Sequence, residues 1–264
     1  MKISFFHIDA FTQTLFAGNP AFVAVVSEPL SDEKMQNIAY ENNLPATVFL
    51  QKNLDGYAIR WFTMEESDLC GHGSLAAAYV VFNFLEPELT QVKFTSKKGL
   101  EVLVQQSKDG TLTLSFPPKN PIIEALPEQV TTAIGLTPLT FLTYQKERCL
   151  MVLENEEQVR RANPNLEILA ELPWWGYVLT ARGQDVDFVS RTFYPRKKAL
   201  QEDYVTGASH CLLAPYWGSR LQKNYLTAHQ ISSRLGVLAC ELKGDNVLIS
   251  GHAVLYARGE LFLD

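Results

Sequence analysis

The sequence predicts an α+β protein of two similar, strand-rich lobes, each wrapped around one buried helix. Three observations lead there. Two short glycine turns, Asp68-Leu69-Cys70-Gly71-His72-Gly73-Ser74 and Asp203-Tyr204-Val205-Thr206-Gly207-Ala208-Ser209-His210, each open an apolar stretch, and they stand 136 residues apart counted from Gly71 to Gly207. Each is preceded by an arginine-aromatic signature, Arg60-Trp61-Phe62-Thr63 and Arg191-Thr192-Phe193-Tyr194. Between the two sets lies the proline-dense break Pro117-Pro118-Lys119-Asn120-Pro121, where one compact unit ends. A period this long describes two lobes and not a solenoid. Strands gathered around single helices define the α+β class.

The elements follow in order. Residues 3–11 and 21–26 read as strands, joined through the turn Gly18-Asn19-Pro20. Ser31-Asp32-Glu33 opens a helix with Met35, Ile38 and Ala39 on one face, and its acidic first turn suits the helix dipole. A strand covers 57–63. The helix after Gly71 is apolar nearly all round, so it belongs inside its lobe. Strands at 91–94, 100–105 and 112–116 complete the first lobe, residues 1–117. In the second, residues 118–250, a helix over 128–134 ends at Gly135. Strands follow near 140–144 and 149–153. Asn155-Glu156-Glu157-Gln158 starts another helix with a capping-box pattern. Strands at 176–181 and 187–193 lead into the second glycine turn and its helix. Four more come after it, near 236–242, 246–249, 253–256 and 260–263.

Bulk properties narrow the function classes. Of 264 residues, 47% are hydrophobic and 20% charged, enough to bury a substantial core. The net charge is −6 and the basic residues are scattered, which argues against a nucleic-acid partner. Arg160-Arg161 and Lys197-Lys198 read as solvated pairs. The four cysteines, Cys70, Cys149, Cys211 and Cys240, are irregularly spaced and read as reduced thiols of a cytoplasmic protein. Residues 1–9 alternate and turn charged too early for a signal peptide. The longest near-apolar run, 75–85, is too short to span a bilayer and carries Asn83, so no membrane span is expected.

The chemistry-bearing candidates cluster at the glycine turns. A helix N-terminus presents unpaired N–H groups and a partial positive charge, which suit a carboxylate or phosphate. Gly71, Gly73 and Ser74, with Gly207, Ala208 and Ser209, are thus the candidate anion-holding residues, expected where the two halves meet. Cys70 admits two roles: a thiolate base or nucleophile activated by the dipole, or a small buried hydrophobe. His72 is a substrate contact near neutral pH or a cap on its turn. Asp203 either moves a proton or serves as a turn acceptor. His210 faces either a cleft or the core. Asn19 either donates to a carboxylate or shapes its turn. Metal ligation is disfavoured, because no two histidines stand four apart and no Cys-x-x-Cys occurs. A phosphate loop and a dinucleotide fingerprint are missing too, which leaves cofactor-free chemistry.

A set of ordered motifs then carries a resemblance. These are Ile8-Asp9-Ala10-Phe11, Gly18-Asn19-Pro20, Asp68-Leu69-Cys70-Gly71-His72, Arg191-Thr192-Phe193-Tyr194-Pro195 and Glu202-Asp203-Tyr204-Val205-Thr206-Gly207. Joined by His210-Cys211-Leu212-Leu213-Ala214-Pro215-Tyr216-Trp217 and Gln230-Ile231-Ser232-Ser233-Arg234-Leu235-Gly236, they resemble the phenazine-biosynthesis PhzF-like family from residue 3 to the C-terminus. The resemblance implies a diaminopimelate-epimerase-like fold, with two similar lobes that are each a strand barrel around a central helix. It implies an active site between the lobes, a last strand (251–264) returning to the first lobe, and a homodimer. It implies an isomerase that moves a proton on a small carboxylate-bearing metabolite without a cofactor. In the phenazine enzyme that metabolite is a dihydro-hydroxyanthranilate.

The departures from the family pattern matter as much. The family's acid/base glutamate belongs in an Asn-Leu-Ser/Pro-Glu-Thr-x-Phe segment, and here Ala46 takes its place in Asn43-Leu44-Pro45-Ala46-Thr47-Val48-Phe49. The serine expected after Gly207 is displaced, with Ala208-Ser209 in swapped order. Thr206 stands where epimerase relatives carry a second cysteine, so a two-thiol mechanism is not available. Glu41 lies five residues before Ala46, at the end of a helix. His72, Asp203 and Cys70 remain as the acid/base candidates. The leading reading is a PhzF-like isomerase impaired by Ala46, and the runner-up is an inactive metabolite-binding or protein-interaction module on the same scaffold.

Overall fold

The computed structural model describes residues 1–63, 65–197 and 200–263, which leaves Lys198 of the Lys197-Lys198 pair outside it. Two compact units emerge, Met1–Ser115 with Ile249–Asp264, and Phe116–Leu248. In chain order the first contains β1 (Lys2–Ala10), β2 (Asn19–Val25), α1 (Asp32–Asn42), β3 (Ala46–Asn53), β4 (Gly56–Thr63) and β5 (Glu65–Ser67). There follow α2 (Gly71–Val80), extended by one π turn, Val81–Leu85, then β6 (Gln91–Ser96), β7 (Glu101–Gln106) and β8 (Leu112–Phe116). The second contains β9 (Ile122–Ile123), α3 (Glu128–Ile134), β10 (Thr140–Tyr144), β11 (Arg148–Val152), α4 (Glu156–Arg161), α5 (Leu166–Ala170), β12 (Gly176–Arg182) and β13 (Phe188–Phe193). It continues through β14 (Glu202–Asp203), α6 (Gly207–Leu221), β15 (Tyr225–Gln230) and β16 (Gly236–Lys243). β17 (Asn246–Gly251) leads into β18 (Ala253–Phe262), which belongs to the first unit. Among the described residues no helix is long and apolar enough to cross a membrane.

Strand alternation sorts the first unit into layers. Ile3, Phe22, Ala24, Phe49 and Phe62 lie on one sheet face and bury Met35, Ile38 and Ala39 of α1. The opposite face carries Ala21, Ala46, Val48 and Trp61, and it receives α2: Val48 and Trp61 pack at Gly73. The neighbour order is β18-β1-β2-β3-β4-β6-β7-β8. Ser250 bonds Thr113 of β8 at 2.8 Å and His252 bonds Thr111, just before β8, at 3.4 Å, which closes the strands around α2. The helix has only small or aliphatic residues from Leu75 to Ala78, all fully buried, so a sequence apolar on every side is the one that fits there.

The second unit repeats the plan. Phe141, Cys149, Met151, Tyr177, Leu179 and Val189 pack outward against α3, α4 and α5. The other face meets α6: Trp217 donates to Thr180 at 2.9 Å and stacks on Phe188 at 6.0 Å. Pro215 sits inside α6 and has no N–H, so the Cys211 carbonyl four residues back loses its helical donor. The backbone N–H of Lys119 supplies the replacement at 3.0 Å. Part of the proline-dense segment is thereby stitched to the helix it precedes in sequence.

The α+β class expected from the sequence is what the structure contains. Six elements go beyond the sequence reading: β3, β5, β9, β14, β15 and α5. One expectation needs correction: 253–256 and 260–263 are not two strands but the single β18. Gly259 reads as a break in the sequence. In the fold a Cβ there would come within 3.0 Å of the Phe5 ring, so the glycine is a packing residue of a continuous strand.

Candidate active site

Each glycine turn is built by the same device. Arg60 of β4 grips Glu66 of β5 through two bonds of 2.6 Å, and its guanidinium lies 5.5 Å from the Phe62 ring. Arg191 of β13 grips Glu202 of β14 at 2.7 and 2.8 Å and lies 4.9 Å from the Phe193 ring. The paired fork fixes a short return strand just before each central helix. This is the physical meaning of the repeated arginine-aromatic signature. The arginines therefore work as tethers of the two turns.

At the first turn, Cys70 is the extended residue preceding α2, with φ −137° and ψ 105°, and its side chain makes no capping bond. Its Sγ stands 3.5 Å from Nδ1 and 3.9 Å from Nε2 of His72. Both side chains are buried. Gly73 is glycine for space: a Cβ would meet Val48 Cγ2 at 3.0 Å and Cys70 Sγ at 3.1 Å. An α-helix supplies no internal acceptor to the amides of its first turn, here Gly71 to Gly73. Asn19 is fully buried at the start of β2, after Gly18, whose φ is +66°. A Cβ on Gly18 would fall 2.2 Å from the Ala10 carbonyl oxygen, so only glycine permits that turn.

Ala46 begins β3 beside Ala21, fully buried. Two residues on, Val48 touches the start of α2, and alternation puts Ala46 on that same sheet face. The methyl group is thus on the α2 side of the sheet. Glu41 is exposed on α1, which covers the opposite face. It is separated from α2 by the whole sheet and does not replace a carboxylate at residue 46.

At the second turn, Thr206 precedes α6 and donates from Oγ1 to Asp203 Oδ2 at 2.7 Å. Gln230 of β15, fully buried, accepts the Thr206 N–H at 2.8 Å. Its Nε2 donates to the Asp203 carbonyl at 2.7 Å and reaches Thr206 Oγ1 at 3.3 Å. His210 Nδ1 donates back to the Thr206 carbonyl at 2.9 Å. Burial pushes its imidazole down to about 4, so it is neutral near pH 7. His210 is a core residue packed on Phe188.

Two candidates change role on this geometry. Ser74 turns its hydroxyl back to the Cys70 carbonyl at 2.8 Å, so that proton is engaged inside the helix. The Ser209 hydroxyl accepts from Thr192 of β13 at 3.2 Å and faces the strand; Ala208 takes the more exposed place beside it. The swapped order therefore moves the hydroxyl into the core. Gln230 is the residue that the sequence reading missed, and Thr206, read there only as the place of a second epimerase cysteine, gains a bonding role. The signal for Gln230 is an uncharged polar group ending the alternation of buried Leu226 and Ala228.

The sequence profile of the phenazine biosynthesis-like proteins (PhzC-PhzF) matches residues 8–259. The chain belongs to that family. An uncharacterized isomerase of Pseudomonas aeruginosa is 43% identical to this PhzF-family chain over 100% of both. The crystal structure of a PhzF-family protein from Enterococcus faecalis is 40% identical, covers 100% of both chains and superposes with a TM-score of 0.95. A hydroxyproline epimerase from Agrobacterium vitis, 12% identical, covers 98% of this chain and 92% of its own with a TM-score of 0.63, a likeness of fold alone. The PhzF-family chain thus has the epimerase-like α+β fold that its motifs imply.

Proposed function

We propose that this PhzF-family protein is an isomerase that moves a proton on a small carboxylate-bearing metabolite without a cofactor. The family membership and the naming of its 43% identical relative as an isomerase support the class. The observation that carries the finer reading is the pair of equivalent helix starts. Each has first-turn amides suited to an anion and keeps a proton-carrying side chain within four residues of the helix start: Cys70 and His72 at α2, Asp203 at α6. Gly71, Gly73, Gly207 and Ala208 contribute backbone N–H groups, and Asn19 contributes its buried amide.

Ala46 sets the rate in this reading. An alanine cannot carry a proton, and a missing general base removes about two to four orders of magnitude. The remaining acid/base groups are His72, Asp203 and, at van der Waals range from His72, Cys70. The test is solvent deuterium entering a dihydro-hydroxyanthranilate, followed by mass spectrometry. Exchange that falls in His72→Ala and Asp203→Asn supports the reading. Unchanged exchange in both variants, with the fold intact, refutes these assignments.

A further inference from the structure

We propose that Gln230 is a positioning residue for the isomerase, acting through Thr206 to hold the Asp203 carboxyl group with Oδ2 as a hydrogen-bond acceptor. The inference rests on the acid/base role of Asp203 argued above. It begins with the orientation of one amide. Gln230 Oε1 lies 2.8 Å from the Thr206 N–H, which can only donate. Its Nε2 lies 2.7 Å from the Asp203 carbonyl oxygen, which can only accept. Reversing the amide would break both bonds, so nitrogen and oxygen are assigned without ambiguity.

The remaining directions follow. Nε2 is a donor only, so Thr206 Oγ1, 3.3 Å away, accepts from it. The hydroxyl's one proton then points to Asp203 Oδ2, 2.7 Å away. The relay runs Gln230 Nε2–H to Thr206 Oγ–H to Asp203 Oδ2. The relay therefore makes Oδ2 a hydrogen-bond acceptor and fixes the orientation of the Asp203 carboxyl group. All three side chains are buried, Gln230 completely, which keeps water from scrambling the chain. Gln230 also ties β15 to the start of α6, so the same amide sets the place and the polarity of Asp203.

Substitutions separate positioning from plain scaffolding. Thr206→Val keeps the shape and removes the hydroxyl, Thr206→Ser restores it, and Gln230→Glu keeps the acceptor but removes the donor. Deuterium exchange into a dihydro-hydroxyanthranilate gives kcat and KM for each. Thr206→Val and Gln230→Glu are expected to lower kcat roughly a hundredfold with KM changed less than about twofold, and Thr206→Ser to recover most of the loss. A Thr206→Ser protein as slow as Thr206→Val, or a loss confined to KM, overturns the proposal. Neutron diffraction of the unmodified protein reads the relay without any substrate. Deuterium on Thr206 Oγ1 facing Oδ2 is expected, and deuterium on Oδ2 facing Thr206 overturns the assignment. If that density is as expected while Asp203→Asn leaves exchange untouched, the acid/base role of Asp203 fails and the relay direction stands.

Discussion

His210 ties the start of α6 to pH. Its imidazole is held neutral by complete burial and titrates at about 4, against 6.5 for an accessible histidine. The unfolded chain therefore binds a proton between these values and the folded chain does not. Stability from this residue is full above pH 6.5 and drains away as the pH falls toward 4. Between pH 7 and about pH 4.5 the loss amounts to roughly 2 kcal/mol. His210→Asn places an amide nitrogen near the Nδ1 position, preserves a donor for the Thr206 carbonyl and removes the titration. Urea denaturation across this pH range is the assay. The absolute stability of the variant is expected to be lower because of the cavity. Its decline on acidification is expected to be shallower than that of the unmodified protein by that same ~2 kcal/mol. Parallel pH dependences in the two proteins would refute the buried, neutral imidazole.

Three further outcomes are expected. Gly18→Ala forces a side chain into a left-handed backbone and against the Ala10 carbonyl, for a loss of roughly 3 kcal/mol read by urea denaturation. Iodoacetamide at neutral pH, with peptide mapping, is expected to leave Cys149, Cys211 and Cys240 unmodified in the folded protein, since burial raises all three thiols, Cys211 to about 11. Glu41→Gln is expected to change deuterium exchange not at all and stability by less than ~0.5 kcal/mol, because Glu41 is exposed on the helix opposite α2.

What was legible in the sequence divides along physical lines. Both central helices announced themselves, since a helix apolar on all sides has nowhere to go except the middle of a lobe. Gly135 marked the end of α3 because the chain there is left-handed, with φ +66°. The Asn155 pattern gave α4, and Asn155 does accept the Gln158 N–H at 3.0 Å. β3 was invisible because its first five residues are buried on both faces and show no alternation. α5 was missed because five residues carry too little periodicity; Asn165 caps it through two backbone amides. At the site, the glycines and Asp203 stood out, while the roles of Ser74 and Ser209 depended on which way a hydroxyl turns. Gln230 was hidden for a related reason. Its work is done across 24 residues of sequence separation to Thr206, and no local pattern encodes that pairing.

The most direct test concerns Ala46 and the proton. The purified, chelator-treated protein and its Ala46→Glu variant are incubated in deuterium oxide with a dihydro-hydroxyanthranilate, and deuterium entering the compound is followed by mass spectrometry. The expected result is slow exchange by the protein as it stands, lost in His72→Ala or Asp203→Asn, and faster by about two orders of magnitude or more once Ala46→Glu restores a carboxylate on the α2 face. No exchange above the blank by either folded protein, with the acid bound, would contradict the proton-moving isomerase.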